Sequence, residues 1–108
     1  MKNLLTFENF LNESNTDMEF KKAMKEFDFD PNLEKDAFLT KDGHGNEVRI
    51  LKYERKTLKG LVYESRFGPM GKYEWSYGSW DENGKSIEYG MMASIPKLDA
   101  QDAIKQLS

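Results

Sequence analysis

The chain has 108 residues, with 16 Lys and Arg against 19 Asp and Glu, a formal net charge of -3, and 38% hydrophobic residues. This is the size and composition of one soluble globular domain, and no apolar run approaches the ~18 residues of a membrane span, so no membrane partner is expected. The absence of Cys excludes a disulfide framework and thiolate chemistry, and the single His excludes a His-rich metal site; no cofactor is expected. In chain order, Leu4, Phe7 and Leu11 lie three and four residues apart, with Phe10 on the same broad face. That spacing predicts a short amphipathic helix over residues 1–13. A helix of about ten residues is marginal alone and folds only against its own domain or a partner. The pattern is not a secretory signal, because Lys2 is a thin charged region and Asn3, Thr6, Glu8 and Asn9 interrupt any apolar core. The polar run Asn12-Glu13-Ser14-Asn15-Thr16 has no apolar side chain to hold it down.

The segment Thr6-Phe7-Glu8 followed by Phe10-Leu11-Asn12-Glu13 resembles the capsid-targeting leader of internal head proteins in tailed phages related to T4. In that family a Met-Lys start precedes a short aromatic-acidic helix, and the prohead protease cuts after Glu in a Leu/Ile-x-Glu tripeptide. Leu11, Asn12 and Glu13 match that tripeptide, so the resemblance places the scissile bond between Glu13 and Ser14. The extra Leu4-Leu5 ahead of Thr6 departs from the pattern, and the likeness covers about 14 residues only. It implies the prohead scaffold and prohead protease as partners of the leader. It further implies a location inside the virion, and then in the host cytoplasm with a host protein as target, because proteins of that family enter with the DNA. The division implied is a leader over 1–13 and a single domain over 14–108.

Thr16 followed by Glu19 is a capping-box pattern, and Phe20, Ala23, Met24 and Phe27 form one stripe of a helix over 16–27. Asp30-Pro31 predicts a cap and a first helical position, with a turn or two through Leu33, Glu34 and Ala37. From Phe38 the period becomes two. Strands are expected at 38–40, 47–55, 61–67, 73–80 and 86–94. Val48 and Ile50 fall on one face of the second, and Arg49, Leu51 and Tyr53 on the other. Turns are expected at 42–46, Lys59-Gly60, 67–71 and, as the strongest hairpin signal, Asn83-Gly84. A helix over 97–107 presents Leu98, Ile104 and Leu107, with Ala100 and Ala103 adjoining. The fold class expected is α+β: an antiparallel sheet of about four strands. The N-terminal helices and the C-terminal helix cover its apolar face and leave the other solvated.

No catalytic set assembles in the sequence, and no enzymatic activity is expected. His44 lies between glycines, with only Asp42 and Glu47 near it. The Asp81-Glu82-Asn83-Gly84 run resembles part of a calcium loop but has Gly90 where a bidentate Glu is required. Glu64 and Glu74 are placed to face each other across adjacent strands. Two binding readings remain. Glu26, Asp28, Asp30, Glu34 and Asp36 form the one acidic run and a candidate protein-docking patch, although a nucleic-acid mimic needs a denser field. Arg49, Lys52, Arg55 and Arg66 interleave with Tyr53, Tyr63, Tyr73, Trp75 and Tyr77, as a single-strand-binding surface does. Interleaved Glu47, Glu54, Glu64 and Glu74 count against a positive footprint, which makes nucleic-acid binding the alternative. The leading expectation is a small non-enzymatic phage protein packaged in the head and binding a host or phage protein. The main alternative is a structural or assembly component that keeps its N-terminal helix as a docking element.

Overall fold

The computed structural model describes residues 18–65, 71–87 and 93–108. The expected leader, the Thr16 cap and Arg66 lie outside them. Residues 18–26 form helix α1, which ends in a Schellman motif. The Phe29 N–H donates to the Met24 carbonyl at 2.8 Å and the Asp28 N–H to that of Lys25 at 3.2 Å. Asp28 holds the left-handed position, φ 61°, that glycine usually takes. Phe29 and Met24 then pack into one cluster, the apolar contact that accompanies this cap. Asp30 caps the following 3-10 helix Pro31–Asp36 by accepting from the Asn32 N–H, as the Asp-Pro pair predicts.

Four antiparallel strands follow in simple sequence order: β1 (Phe38–Lys41), β2 (Glu47–Glu54), β3 (Thr57–Ser65) and β4 (Tyr73–Trp80). Helix α2 (Lys97–Leu107) closes the chain. The fold is the expected α+β arrangement of a four-stranded antiparallel sheet with helices from both ends of the chain. The helices do not share a face, however. Val48, Ile50, Leu58, Val62 and Trp80 form one core with Ile95 and with Ala100 and Ala103 of α2. Leu51, Leu61 and Trp75 form a second core with Phe20, Ala23 and Met24 of α1. The expected solvated face is therefore a second buried one. The strands carry apolar residues at both parities, and each parity meets its own helix.

The register explains a second departure. Ile50 pairs with Gly60 and Lys52 with Lys59, so Leu51 is an extra residue in β2, a β-bulge. A bulge puts two successive side chains on one face and restarts the alternation. Leu51 packs in the α1 core, and the Lys52 ammonium lies 5.9 Å from the Phe29 ring in that same core. Tyr53 consequently packs with the Val48–Ile50 core and not beside Arg49 and Leu51 as strict alternation predicts. The β2–β3 turn also moves. It is Arg55-Lys56, both at positive φ (53° and 63°), and Gly60 lies inside β3. A Cβ on Gly60 would stand 2.1 Å from the Arg49 carbonyl oxygen, so that glycine permits a close strand approach and makes no turn. Of the expected strand 86–94, the described residues show one bridge, Ser86 to Trp80. On α2, Ala100 and Ala103 are the fully buried residues, while Leu98 is 74% exposed.

Two loops are built alike. In Asp42–Asn46 and in Asp81–Lys85, the N–H of the Asp donates to the carbonyl four residues on. The glycine N–H (Gly45, Gly84) donates back to the Asp carbonyl in each. The Asp carboxylate then accepts from two further backbone N–H groups, those of His44 and Asn46 or of Asn83 and Lys85. Gly45 and Gly84 sit at φ 82° and 84°. Asp42 is thus buried at 7% exposure, not the exposed side chain its surroundings suggest.

These loops follow β1 and β4, at opposite edges and, by the register, at opposite ends of the sheet. Both nevertheless bond one dipeptide: the Gly43 N–H donates to the Ser94 carbonyl, and the Ile95 N–H donates to the Gly84 carbonyl, each at 2.9 Å. Neighbouring residues reach diagonal corners only if the sheet curls over the α2 core. The Leu51 bulge, which increases local twist, supplies part of that curl.

Candidate functional site

The candidate residues that fall within the described segments each have a definite place. Of the acidic run, Asp28 is the left-handed C-cap of α1 and Asp30 the N-cap of the 3-10 helix, so two of its members have structural duties. Glu26, Asp28, Asp30 and Asp36 are exposed, and Glu34 is half-buried with Lys21 at 3.9 Å. The run lies along the end of α1 and the 3-10 helix as one acidic edge.

The basic and aromatic set does not assemble as a stacking surface. Arg49 packs against two rings that also touch each other: its guanidinium carbon is 4.5 Å from the Phe20 centroid and 4.9 Å from that of Trp75. Its Nε lies 3.3 Å from a Glu47 carboxylate oxygen. Lys52 and Lys59 both approach Glu54, at 3.7 and 3.8 Å. Arg55 is at the hairpin tip. The rings themselves form the seat of α1: Phe20 on Trp75 at 4.9 Å, Trp75 on Tyr63 at 4.9 Å, and Phe29 on Tyr77 at 6.0 Å. Tyr73, the most exposed at 53%, extends the row from Tyr63 at 5.4 Å. Burial pushes the Tyr63 phenol above its ordinary range, and the nearby Glu19 and Glu47 carboxylates and Tyr73 add to that.

Glu64 and Glu74 do stand opposite each other in the β3–β4 register, as expected. The Asp81 carboxylate, the core of the calcium-like pattern, is turned onto its own loop N–H groups. His44 is exposed at the tip of its turn. Among the described residues no group of three or more His, Asp or Glu side chains is placed to hold a metal ion. No helix among them is long and apolar enough to cross a membrane.

Two grooves flank α1. One, of about 640 Å³, lies between α1 and the 3-10 helix and is lined by Met18, Met24 and Pro31 with Lys21, Lys22 and Lys25, and by Glu19 and Glu34. The other, of about 380 Å³, lies between α1 and the start of β4, with Lys22, Glu26, Lys72, Tyr73, Glu74 and Trp75 among its lining. Sequence periodicity gives the buried stripe of α1. It is silent on the grooves, which depend on where the 3-10 helix and β4 run beside that helix. No family model matches the chain, and neither the curated proteins nor the solved structures provide a match to it.

Proposed function

We propose that the chain is a small non-enzymatic phage protein carried inside the head, trimmed after Glu13, and acting by binding a host or phage protein. The observation that carries this reading is the leader-like segment Thr6–Ser14, with Leu11-Asn12-Glu13 ahead of the expected cut. A binding role is supported by how the polar side chains are used. Asp42 and Asp81 close loops, Arg49 packs against the Phe20 and Trp75 rings, and Glu82 accepts from the Tyr53 hydroxyl. The acidic edge and the grooves beside α1 are the surfaces such a role would use.

The test is digestion of the purified chain with the prohead protease of a T4-related phage, followed by intact-mass measurement. The expected outcome is one cut and a fragment beginning at Ser14. A chain that stays whole, or that is cut elsewhere, overturns the leader reading. It would favour the second reading, a structural or assembly component that keeps its N-terminal helix as a docking element. Nucleic-acid binding draws the least support, because Trp75 and Arg49, central to that set, are turned into the α1 interface.

A further inference from the structure

Asn is a thermally labile residue, and most so ahead of Gly, whose missing side chain leaves the backbone nitrogen without steric cover. At Asn83-Gly84 the fold treats the two reacting groups differently. Asn83 is exposed, so its side-chain amide is open to attack, while Gly84 is buried. The Gly84 N–H donates to the Asp81 carbonyl and the Gly84 carbonyl accepts from the Ile95 N–H, each at 2.9 Å. The next N–H, that of Lys85, donates to the Asp81 carboxylate at 2.9 Å. A Cβ built on Gly84 would collide with the Ile95 carbonyl oxygen, so the glycine has no room to turn where it lies.

We propose that Asn83 is a deamidation site that the Gly84–Ile95 clasp holds off, and that the reaction, once local opening releases it, makes that opening permanent. In the reaction the Gly84 nitrogen gives up its proton and attacks Asn83 Cγ. The bond from Cγ to the side-chain nitrogen breaks, and that nitrogen leaves as ammonia. Water then opens the cyclic imide. Opening at Cγ gives aspartate, and opening at the main-chain carbonyl gives isoaspartate, with the chain rerouted through Cβ and Cγ. The clasped loop blocks the first step. The Gly84 proton is directed at a carbonyl, which is not a base, and swinging the nitrogen toward Cγ breaks the bond to Asp81 and pulls the Gly84 carbonyl off Ile95. Such local opening costs much less than unfolding the whole domain. Isoaspartate adds a backbone carbon just ahead of Gly84. The glycine then cannot meet Asp81 and Ile95 together in a space too tight for a methyl group, and this corner stays unjoined. The site is independent of the leader reading.

The loop Asp42–Asn46 supplies the control. The Gly45 N–H is held by the Asp42 carbonyl at 2.9 Å, as in its twin, but a Cβ on Gly45 meets nothing within 4 Å. His44 stands where Asn83 stands in the other loop, so His44→Asn builds the same pair without the clasp.

The test is peptide mass spectrometry, with chromatographic separation of aspartate from isoaspartate, after incubation of the full chain in mildly alkaline buffer. The chain is kept folded in one arm and in denaturant in the other, and His44→Asn is run folded beside them. Asn83 is expected to deamidate at least about tenfold more slowly in the folded chain, a factor that two ordinary hydrogen bonds supply. In folded His44→Asn, residue 44 should convert at least about threefold faster than Asn83, the worth of the single bond to Ile95. The isoaspartate form should show a shifted Trp80 indole N–H resonance, because that N–H donates to the Ala93 carbonyl at 3.2 Å, beside the clasp. Equal Asn83 rates in the folded and denatured chain overturn the proposal. So does a residue 44 that converts no faster than Asn83, or an isoaspartate form in which Trp80 is unmoved.

Discussion

Tyr53 and Glu82 come from distant parts of the chain and meet at 2.6 Å, the hydroxyl donating to the carboxylate. That hydrogen bond, with some desolvation and the Glu82 charge, raises the phenol pKa above its ordinary 10.0. A raised folded-state pKa means that the stabilisation is fully present below the ordinary value. It is lost as pH climbs through the folded one. Spectrophotometric titration of the native protein should therefore show Tyr53 and Tyr63 ionising above the ordinary phenol value. Tyr53→Phe should remove one late-titrating phenol and leave stability at pH 7 nearly unchanged, because the hydrogen bond is exposed to solvent. A late-titrating class unchanged in Tyr53→Phe would count against the contact. The glycines offer a controlled comparison. Gly45 and Gly84 have nearly the same positive φ, but a Cβ on Gly45 meets nothing within 4 Å, while one on Gly84 meets the Ile95 carbonyl oxygen at 2.4 Å. Gly45→Ala should cost about 1–2 kcal/mol, the conformational term alone. Gly84→Ala should cost clearly more, because it also pries the loop from Ile95. Equal losses in chemical denaturation would mean that the Gly84–Ile95 contact is not tight.

At the scale of elements, the β2–β3 hairpin has a turn at odds with its sequence. Two-residue turns with both central residues at positive φ favour Asn-Gly, and here Arg55-Lys56 occupies them. Replacing the pair by Asn-Gly should stabilise the protein by about 1–2 kcal/mol, seen as a higher denaturation midpoint at constant slope. Destabilisation would show that Arg55 or Lys56 contributes something the turn geometry does not reveal. The same hairpin shows what could be read from the chain. Strands with alternating patterns, the Asp30-Pro31 start of the 3-10 helix and the bounds of α2 were legible, because each has a local signature. The Arg55-Lys56 turn was not, because tertiary pairing imposes a conformation that neither residue prefers, while Gly60 nearby mimics a turn signal. The bulge at Leu51 is invisible for a related reason. A single extra residue leaves a short apolar run looking like ordinary alternation, and only the partner strand defines the register. Arg49 read as a nucleic-acid contact because its charge is local information, while the rings it packs against come from α1 and β4. The grooves beside α1 depend on the same kind of distant packing, so of the candidate surfaces only the acidic edge was legible.

For the whole molecule, the arrangement is a curled sheet with a helix packed on each face and two diagonal corners joined through Ser94 and Ile95. The central claim is that this body is complete without residues 1–13. Denaturant unfolding of the intact chain beside the chain cut after Glu13, followed by tryptophan fluorescence, tests it most directly. Trp75 and Trp80 report the two cores separately, since one faces α1 and the other α2. The expected result is a single cooperative transition in both chains. The cut form should be lower by no more than about 2 kcal/mol, less than the loss of several buried large side chains would cost. A cut chain with no cooperative transition, or with the Trp75 side already exposed before denaturant is added, would contradict the claim and make residues 1–13 part of the core.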